Sequence, residues 1–262
     1  MSSQSHKTEA VPDAHFVPSH YLIQVDDLAA AVEEARAAGF TVLWGSEPSK
    51  AHNALIFTSA GGFIELFTLP FTGLKGRLAS AVVRAGAAVG SVAMQRAQGW
   101  KTKSGFCDFA LETRAPLDEA IAELSRNAVS VSNARSFSRV EPGGQTIRWQ
   151  LCSPPSVELP FLMGPYTPEQ SIESSDLQHD NGLRELVGLA LATPEPVRYA
   201  ENLAALLGTA TVEPTADGAR VDQGDFCFIV ERGPEHRLLW LLGTGFSQEQ
   251  IELGGLSLKR AE

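Results

Sequence analysis

Short runs of alternating apolar and polar positions recur along this chain, separated by stretches with the three-to-four-residue spacing of amphipathic helices. The clearest stretch runs from Ala51 to Phe67. Two segments rich in branched and aromatic residues flank Ser59-Ala60-Gly61-Gly62, whose glycines tolerate positive φ, and together they predict a β-hairpin. In its second half, Phe63, Glu65 and Phe67 share one face while Ile64 and Leu66 share the other. Both faces are apolar except for one carboxylate between two aromatic rings. An isolated carboxylate in such surroundings costs several kcal/mol (roughly, after relaxation) unless it is paired or coordinated. Glu65 therefore requires a partner. An even-numbered turn would pair Ile56 with Glu65 and His52 with Leu69, which puts His52 on the Glu65 face but about 13 Å away along the strand. His52 is then a rim residue that contacts substrate or a loop.

The pattern predicts a strand at His20–Val25, a helix over Leu28–Ala38 capped by Asp26-Asp27 and stopped by Gly39, a strand at Phe40–Trp44, and then the hairpin. This is a βαβββ unit, and it recurs. Leu117 aligns with Leu28, Ile121 with Val32 and Leu124 with Ala35, and Val129-Ser130-Val131 aligns with Phe40-Thr41-Val42. The second unit then has a strand at Phe106–Thr113, a helix at Pro116–Arg126 and closing strands at Thr146–Cys152 and Val157–Met163. A weaker third copy begins at Leu186–Thr193, with a helix at Pro196–Leu207, Gly208 as its stop, and strands near Ala219–Asp222 and Phe226–Glu231. Mixed α/β units of about 50 residues predict joined sheets with helices packed outside. Leu74–Met94 reads as a linking helix, Pro165–Gly182 as a long crossing loop, and Gln248–Leu253 as a short helix in the tail. The expected organisation is a disordered leader over residues 1–17, two modules over 18–182, and a third module over 183–262.

Composition narrows the class. A chain of 262 residues with 44% hydrophobic residues has ample material for a core. The formal net charge of −10, with no basic stripe, argues against nucleic acid and anionic membranes as partners. Cys107, Cys152 and Cys227 are odd in number and set in apolar runs, which predicts reduced, buried thiols in a cytoplasmic protein. No apolar run approaches the ~20 residues of a membrane span. Gly-rich phosphate loops, nucleophile elbows and CxxC pairs are absent from the sequence.

The segments Ser19-His20-Tyr21-Leu22-Ile23-Gln24-Val25-Asp26-Asp27-Leu28, His52-Asn53-Ala54-Leu55 and Phe63-Ile64-Glu65-Leu66, followed by Ile147-Arg148-Trp149-Gln150-Leu151 and Leu159-Pro160-Phe161-Leu162, resemble in order and spacing the vicinal oxygen chelate superfamily, specifically its glyoxalase-like domain. The resemblance covers residues 18 to 182 and extends more weakly across the third unit. It implies an α+β fold in which paired βαβββ modules form a curved half-barrel sheet, a cup of the glyoxalase/dioxygenase kind. Members hold one divalent metal on the inner face, where it grips two neighbouring oxygens of a substrate; they include isomerases, lyases and extradiol dioxygenases. Others have lost the metal and sequester bulky drugs.

Carried over by position, the resemblance implies that His20 and Glu65 are metal ligands, with Glu65 also available as a base. A neutral imidazole and a carboxylate suit zinc, iron(II), manganese or nickel. The same register places Phe109 opposite His20 and Phe161 opposite Glu65, both aromatic where ligands are expected, and Leu189 at the first position of the third unit. A third ligand must then come from elsewhere, and His179 in the crossing loop is the chosen candidate; Asp108 should face away from the cup. Phe63, Phe67, Phe109, Phe161 and Trp149, with His52 and Asn53, are the expected substrate-contacting residues. Two alternatives stay open at this point: Glu65 in a buried salt bridge, with Arg148 as the candidate partner, and a metal-free cup that binds a hydrophobic or aromatic compound. The expected partner is a small molecule, and the sequence leaves room for a homodimer.

Overall fold

The computed structural model describes residues 15–60, 62–69, 83–84, 87–88 and 91–261. The first module consists of β1 (Phe16–Gln24), α1 (Leu28–Ala37), β2 (Leu43–Trp44), β3 (Asn53–Phe57) and β4 (Phe63–Phe67). Asp27 caps α1 by accepting from the Ala30 N–H at 3.1 Å, a contact whose loss costs about 1 kcal/mol. The helix buries Leu28, Ala31, Val32 and Ala35 on one face. Gly39 then turns the chain at φ +83°, where a β-carbon would stand 2.8 Å from the Asn181 amide nitrogen. Both the left-handed backbone and the close approach require glycine there.

Helix α2 (Val92–Thr102) leads into the second module: β5 (Gly105–Thr113), α3 (Leu117–Arg126), β6 (Arg135–Val140), β7 (Thr146–Cys152) and β8 (Phe161–Met163). The third consists of β9 (Leu186–Thr193), α4 (Pro196–Leu207), β10 (Thr211–Thr215), β11 (Gly218–Gln223) and β12 (Phe226–Arg232), and the chain continues through β13 (Arg237–Gly243), β14 (Gln250–Leu253) and β15 (Leu256–Arg260).

Among the described residues these strands form two sheets. The first two modules make a curled eight-stranded half-barrel of order β2-β3-β4-β1-β5-β8-β7-β6. The remainder makes a seven-stranded sheet of order β10-β11-β12-β9-β13-β15-β14. The second order repeats the first without a counterpart of β6, so the tail is a shortened module that lacks its helix. The main core lies on the side of the half-barrel away from its hollow. There α1, α3 and α4 pack with residues from both sheets, Tyr21 stacks over Phe226 and Phe109 meets Phe228 at 5.8 Å.

Several expectations are corrected. Phe16 and Val17, assigned to the leader, already belong to β1, while residues 1–14 lie outside the described residues. The linking helix expected over 74–94 falls mostly on residues outside the description, and the helix described there runs from Val92 to Thr102. Val129–Val131 is not a strand; the edge strand is β6, whose residues are mostly exposed and so carry little hydrophobic signal. Gln248–Leu253 holds strand β14 instead of a helix, because Ile251 and Leu253 alternate into the core. Among the described residues, no helix is long and apolar enough to cross a membrane.

Candidate functional site

The inner face of the half-barrel is set by the parallel pairing of β1 with β4, in which His20 lies opposite Phe63 and Leu22 opposite Glu65. His20 and Glu65 point into the same hollow, with His20 Nε2 3.9 Å from Glu65 Oε2. The imidazole is buried, stacked on Phe63 at 4.7 Å with the rings nearly parallel and met edge-on by Phe161. Burial, helped by the charge of Arg139, pulls the His20 pKa down to about 3, so the ring is neutral at ordinary pH. Burial pushes the Glu65 carboxyl up, opposed by the amide of Asn53 and by Arg139.

Asn53 belongs to the site. Its Nδ2 donates to Glu65 Oε1 at 2.8 Å, fixing one carboxylate oxygen and leaving Oε2 turned toward His20. This contact follows from the hairpin register, which differs from expectation by one residue. The connection spans residues 58–62 and is closed by Thr58, which donates to the Gly62 carbonyl from both its amide and its hydroxyl. Leu55, not Ile56, therefore faces Glu65, and Asn53 faces Phe67. A one-residue slip exchanges faces, so His52 leaves the Glu65 side and is exposed at the strand entrance. Its expected rim role is not supported.

Sequence reasoning missed the other side of the imidazole. Ser19 Oγ lies 3.3 Å from His20 Nδ1 and donates to Glu112 Oε2 at 2.7 Å. With its single proton committed to Glu112, Ser19 accepts from Nδ1–H. That assigns the tautomer and leaves the Nε2 lone pair facing Glu65. Burial raises the Glu112 pKa, against the pull of Ser19 and Arg114. The alternation Asp108, Ala110, Glu112 along β5 was the available signal.

The same strand corrects two further assignments. Leu22 pairs with Asp108, and Tyr21 with Phe109. Phe109 therefore points into the core with Tyr21, 1% exposed, and is not a wall of the cup. Asp108 faces the cup instead. Ala110 pairs with Phe161 as Leu22 pairs with Glu65, so Asp108 occupies the place of His20 in the second module and Phe161 the place of Glu65. Asp108 is already satisfied: Arg96 Nη1 contacts both its oxygens at 2.7 and 2.6 Å, and Trp100 Nε1 donates at 2.6 Å. Helix α2 thereby covers this half of the hollow, and Trp100 meets Phe67 and Phe161 edge-on.

His179 does not join the pair. Its Nδ1 accepts from the Thr41 N–H at 3.0 Å and its Nε2 donates to the Phe57 carbonyl at 2.8 Å. Both nitrogens are used in tying the crossing loop to the first module, so His179 is structural. Arg148 is exposed on the outer face and cannot pair with Glu65. The nearby cation is Arg139, from the unrecognised strand β6. Its partner across the ladder is Ile147, and Phe137 faces Trp149, so Arg139 and Trp149 share the inner face. Trp149 stacks with Phe137 and meets Tyr166 edge-on. A cavity of about 660 Å³ has Ser19, Phe63, Glu112, Arg114, Tyr166 and Glu169 in its lining; neither His20 nor Glu65 lines it, and it reaches the pair only through their neighbours Ser19 and Phe63. Cys107, Cys152 and Cys227 are free and buried.

A family model described as a glyoxalase-like domain matches residues 19–207. A search of curated proteins finds no match. Among solved structures, a hypothetical protein from Staphylococcus aureus is similar over 93% of this chain and 98% of its own, with a TM-score of 0.71 and 14% identity. An extradiol ring-cleaving dioxygenase from B. fuscum aligns with a TM-score of 0.49 and 14% identity, over 90% of this chain and 59% of its own. Homoprotocatechuate 2,3-dioxygenase from Arthrobacter globiformis gives 0.48 and 16%, over 92% and 67%. The likeness to the Staphylococcus aureus protein describes a shared fold.

Proposed function

Because the chain belongs to the glyoxalase-like domain family, we propose that it is a divalent-metal-dependent enzyme of the vicinal oxygen chelate type, acting on a small oxygen-rich molecule inside the cup. The observation that carries this reading is the facing pair of His20 Nε2 and Glu65 Oε2 at 3.9 Å. That separation is too long for a hydrogen bond, yet one ion with metal–ligand distances of about 2.0–2.2 Å can touch both. The donors suit the group: a neutral imidazole with its lone pair free and a carboxylate oriented by Asn53. Zinc, iron(II), manganese and nickel all accept this set. No third His, Cys, Asp or Glu among the described residues joins them.

Bound there, the ion would supply Lewis-acid stabilisation of negative charge on a carbonyl or enolate oxygen. The chain's own residues do the rest. Ser19 and Glu112 hold the His20 tautomer, and Asn53 holds one oxygen of Glu65. Phe63 and Phe161 exclude water around the imidazole. Glu65, as the carboxylate facing His20, would also be the group available to take a proton from a carbon beside the oxygen held there.

One observation favours a second reading. The second module has no free ligand, since Asp108 is spent on Arg96 and Phe161 stands where Glu65 has its counterpart. A metal-free cup that sequesters an aromatic or hydrophobic compound would need neither. Metal analysis of the full chain after loading with zinc, manganese, nickel or iron(II) separates the two. The enzyme reading expects stoichiometric metal that is lost in both His20→Ala and Glu65→Ala. A chain that takes up none, and whose stability is unchanged or improved by Glu65→Leu, supports sequestration instead.

A further inference from the structure

The geometry points to the cavity beside Ser19 and Phe63 as a site for an organic amine, its ammonium paired with Glu112 and its apolar body among Phe57, Phe63 and Tyr166. This rests on the reading of the cup as a small-molecule site and narrows what that site takes. The cavity, at about 660 Å³, has a size usual for small-molecule pockets, roughly 300–1,000 Å³. Val17 and Ile172, large apolar side chains left 41% and 38% exposed, lie in its lining and offer surface for a ligand to cover. Phe57 and Phe63, with ring centres 5.1 Å apart, and Tyr166 contribute three aromatic rings. The electron-rich faces of such rings attract a cation.

The charge in the lining has the matching sign. Two acids, Glu112 and Glu169, face one base, Arg114. Glu112 Oε2 accepts from Ser19 at 2.7 Å, and Oε1 has no hydrogen-bond partner among the described residues. Burial raises the Glu112 pKa, and the charges of Arg114 and Glu169 act on it in opposite directions. No cation therefore balances this half-buried carboxylate. An ammonium would do so through a charge-assisted hydrogen bond. The Tyr166 hydroxyl also lacks a hydrogen-bond partner among the described residues, and burial keeps it protonated. Its oxygen is free to accept a second ammonium proton. Arg114, the group in the lining that would favour an anion, is exposed to solvent.

The test uses three probes with one phenyl body: 2-phenylethylamine, 2-phenylethanol and 3-phenylpropionate. Each is titrated by calorimetry into the full chain at neutral pH with a chelator present, because a free amine can ligate a metal. The amine is expected to bind about tenfold or more tightly than the alcohol, the usual worth of a hydrogen bond to a charged group, and the carboxylate more weakly than either. Glu112→Gln should bring amine and alcohol to equal affinity, and Arg114→Gln should widen the amine's advantage. An alcohol bound as tightly as the amine, a carboxylate bound more tightly than both, binding of none, or an amine preference that survives Glu112→Gln would each overturn the proposal. If Glu112→Gln fails to fold, the wild-type comparison and Arg114→Gln still decide. Metal uptake is measured separately without chelator, so failure of the amine preference and failure of the metal-site reading are told apart.

Discussion

Ser19 Oγ donates to Glu112 Oε2 at 2.7 Å, joining the first strand of one module to the first strand of the next across 93 positions of sequence. That bond determines which nitrogen of the neighbouring His20 can act as a ligand, because a serine proton given to Glu112 leaves the oxygen to accept from Nδ1–H. Partners that orient a metal-binding histidine typically change affinity by about 10–100-fold. Ser19→Ala and Glu112→Gln should therefore each weaken metal binding by at least about tenfold, measured by competition with a chelating dye. Unchanged affinity in both would show that the tautomer is set by something else.

Asp108 and Arg96 make the opposite use of a ligand-like position. Both are buried, so removing one partner strands the other, at a cost of about 3–5 kcal/mol. Denaturant unfolding of Asp108→Ala should show a loss of that order. The double variant Arg96→Met/Asp108→Leu should recover much of it, since the charge and its countercharge leave together. A double variant as unstable as the single would mean that the cost lies in packing against Trp100 and Phe161.

Substituting His179 tells a structural histidine from a ligand. Losing its two backbone partners, the Thr41 amide and the Phe57 carbonyl, should cost about 1–3 kcal/mol for each group left unsatisfied. His179→Phe is therefore expected to lower the midpoint of thermal unfolding while metal stoichiometry stays as in the wild type. Loss of metal with stability retained would return His179 to the ligand set.

His236 gives a pH signature remote from the hairpin. It stacks against Tyr199 at 5.4 Å, its buried Nδ1 has no hydrogen-bond partner, and burial, with the charges of Lys103 and Arg96, pulls its pKa down to about 4. Above the ordinary value of 6.5 the ring is neutral folded or unfolded, and its titration contributes nothing. Between 6.5 and 4 the unfolded chain takes up a proton that the folded chain refuses, so stability falls as pH falls, by about 1.4 kcal/mol per unit. His20 and His179 act in the same sense, and the raised Glu65 and Glu112 in the opposite sense. The difference between wild type and His236→Phe isolates this ring: the variant should lose about 2 kcal/mol less than the wild type on going from pH 6.5 to 5. Parallel pH profiles would refute it.

Local signals in the sequence carried much of the architecture. The spacing of Leu28, Val32 and Ala35, the stop at Gly39, and the strand at Leu186–Thr193 with the helix at Pro196–Leu207 are readable because capping, helix period and strand alternation act over a few residues. The requirement that Glu65 find a partner was equally local, arising from one acid among aromatic neighbours. Edge strands such as β6 escaped because an exposed strand has little hydrophobic alternation to read.

The repeated βαβββ plan and the chemical demand at Glu65 are written in local residue patterns. Which side chains answer that demand depends on contacts made between distant strands. Facing in a sheet has a period of two, so a bulge or a turn of odd length, invisible in composition, exchanges every candidate on a strand. That is how Asn53 and Asp108 came to the inside while His52 and Phe109 left it. The bonds that spend His179 on backbone, and the curl that brings Arg139 within electrostatic reach of Glu65, join segments far apart along the chain. Packing of the whole domain sets such contacts, and no local window of sequence contains them.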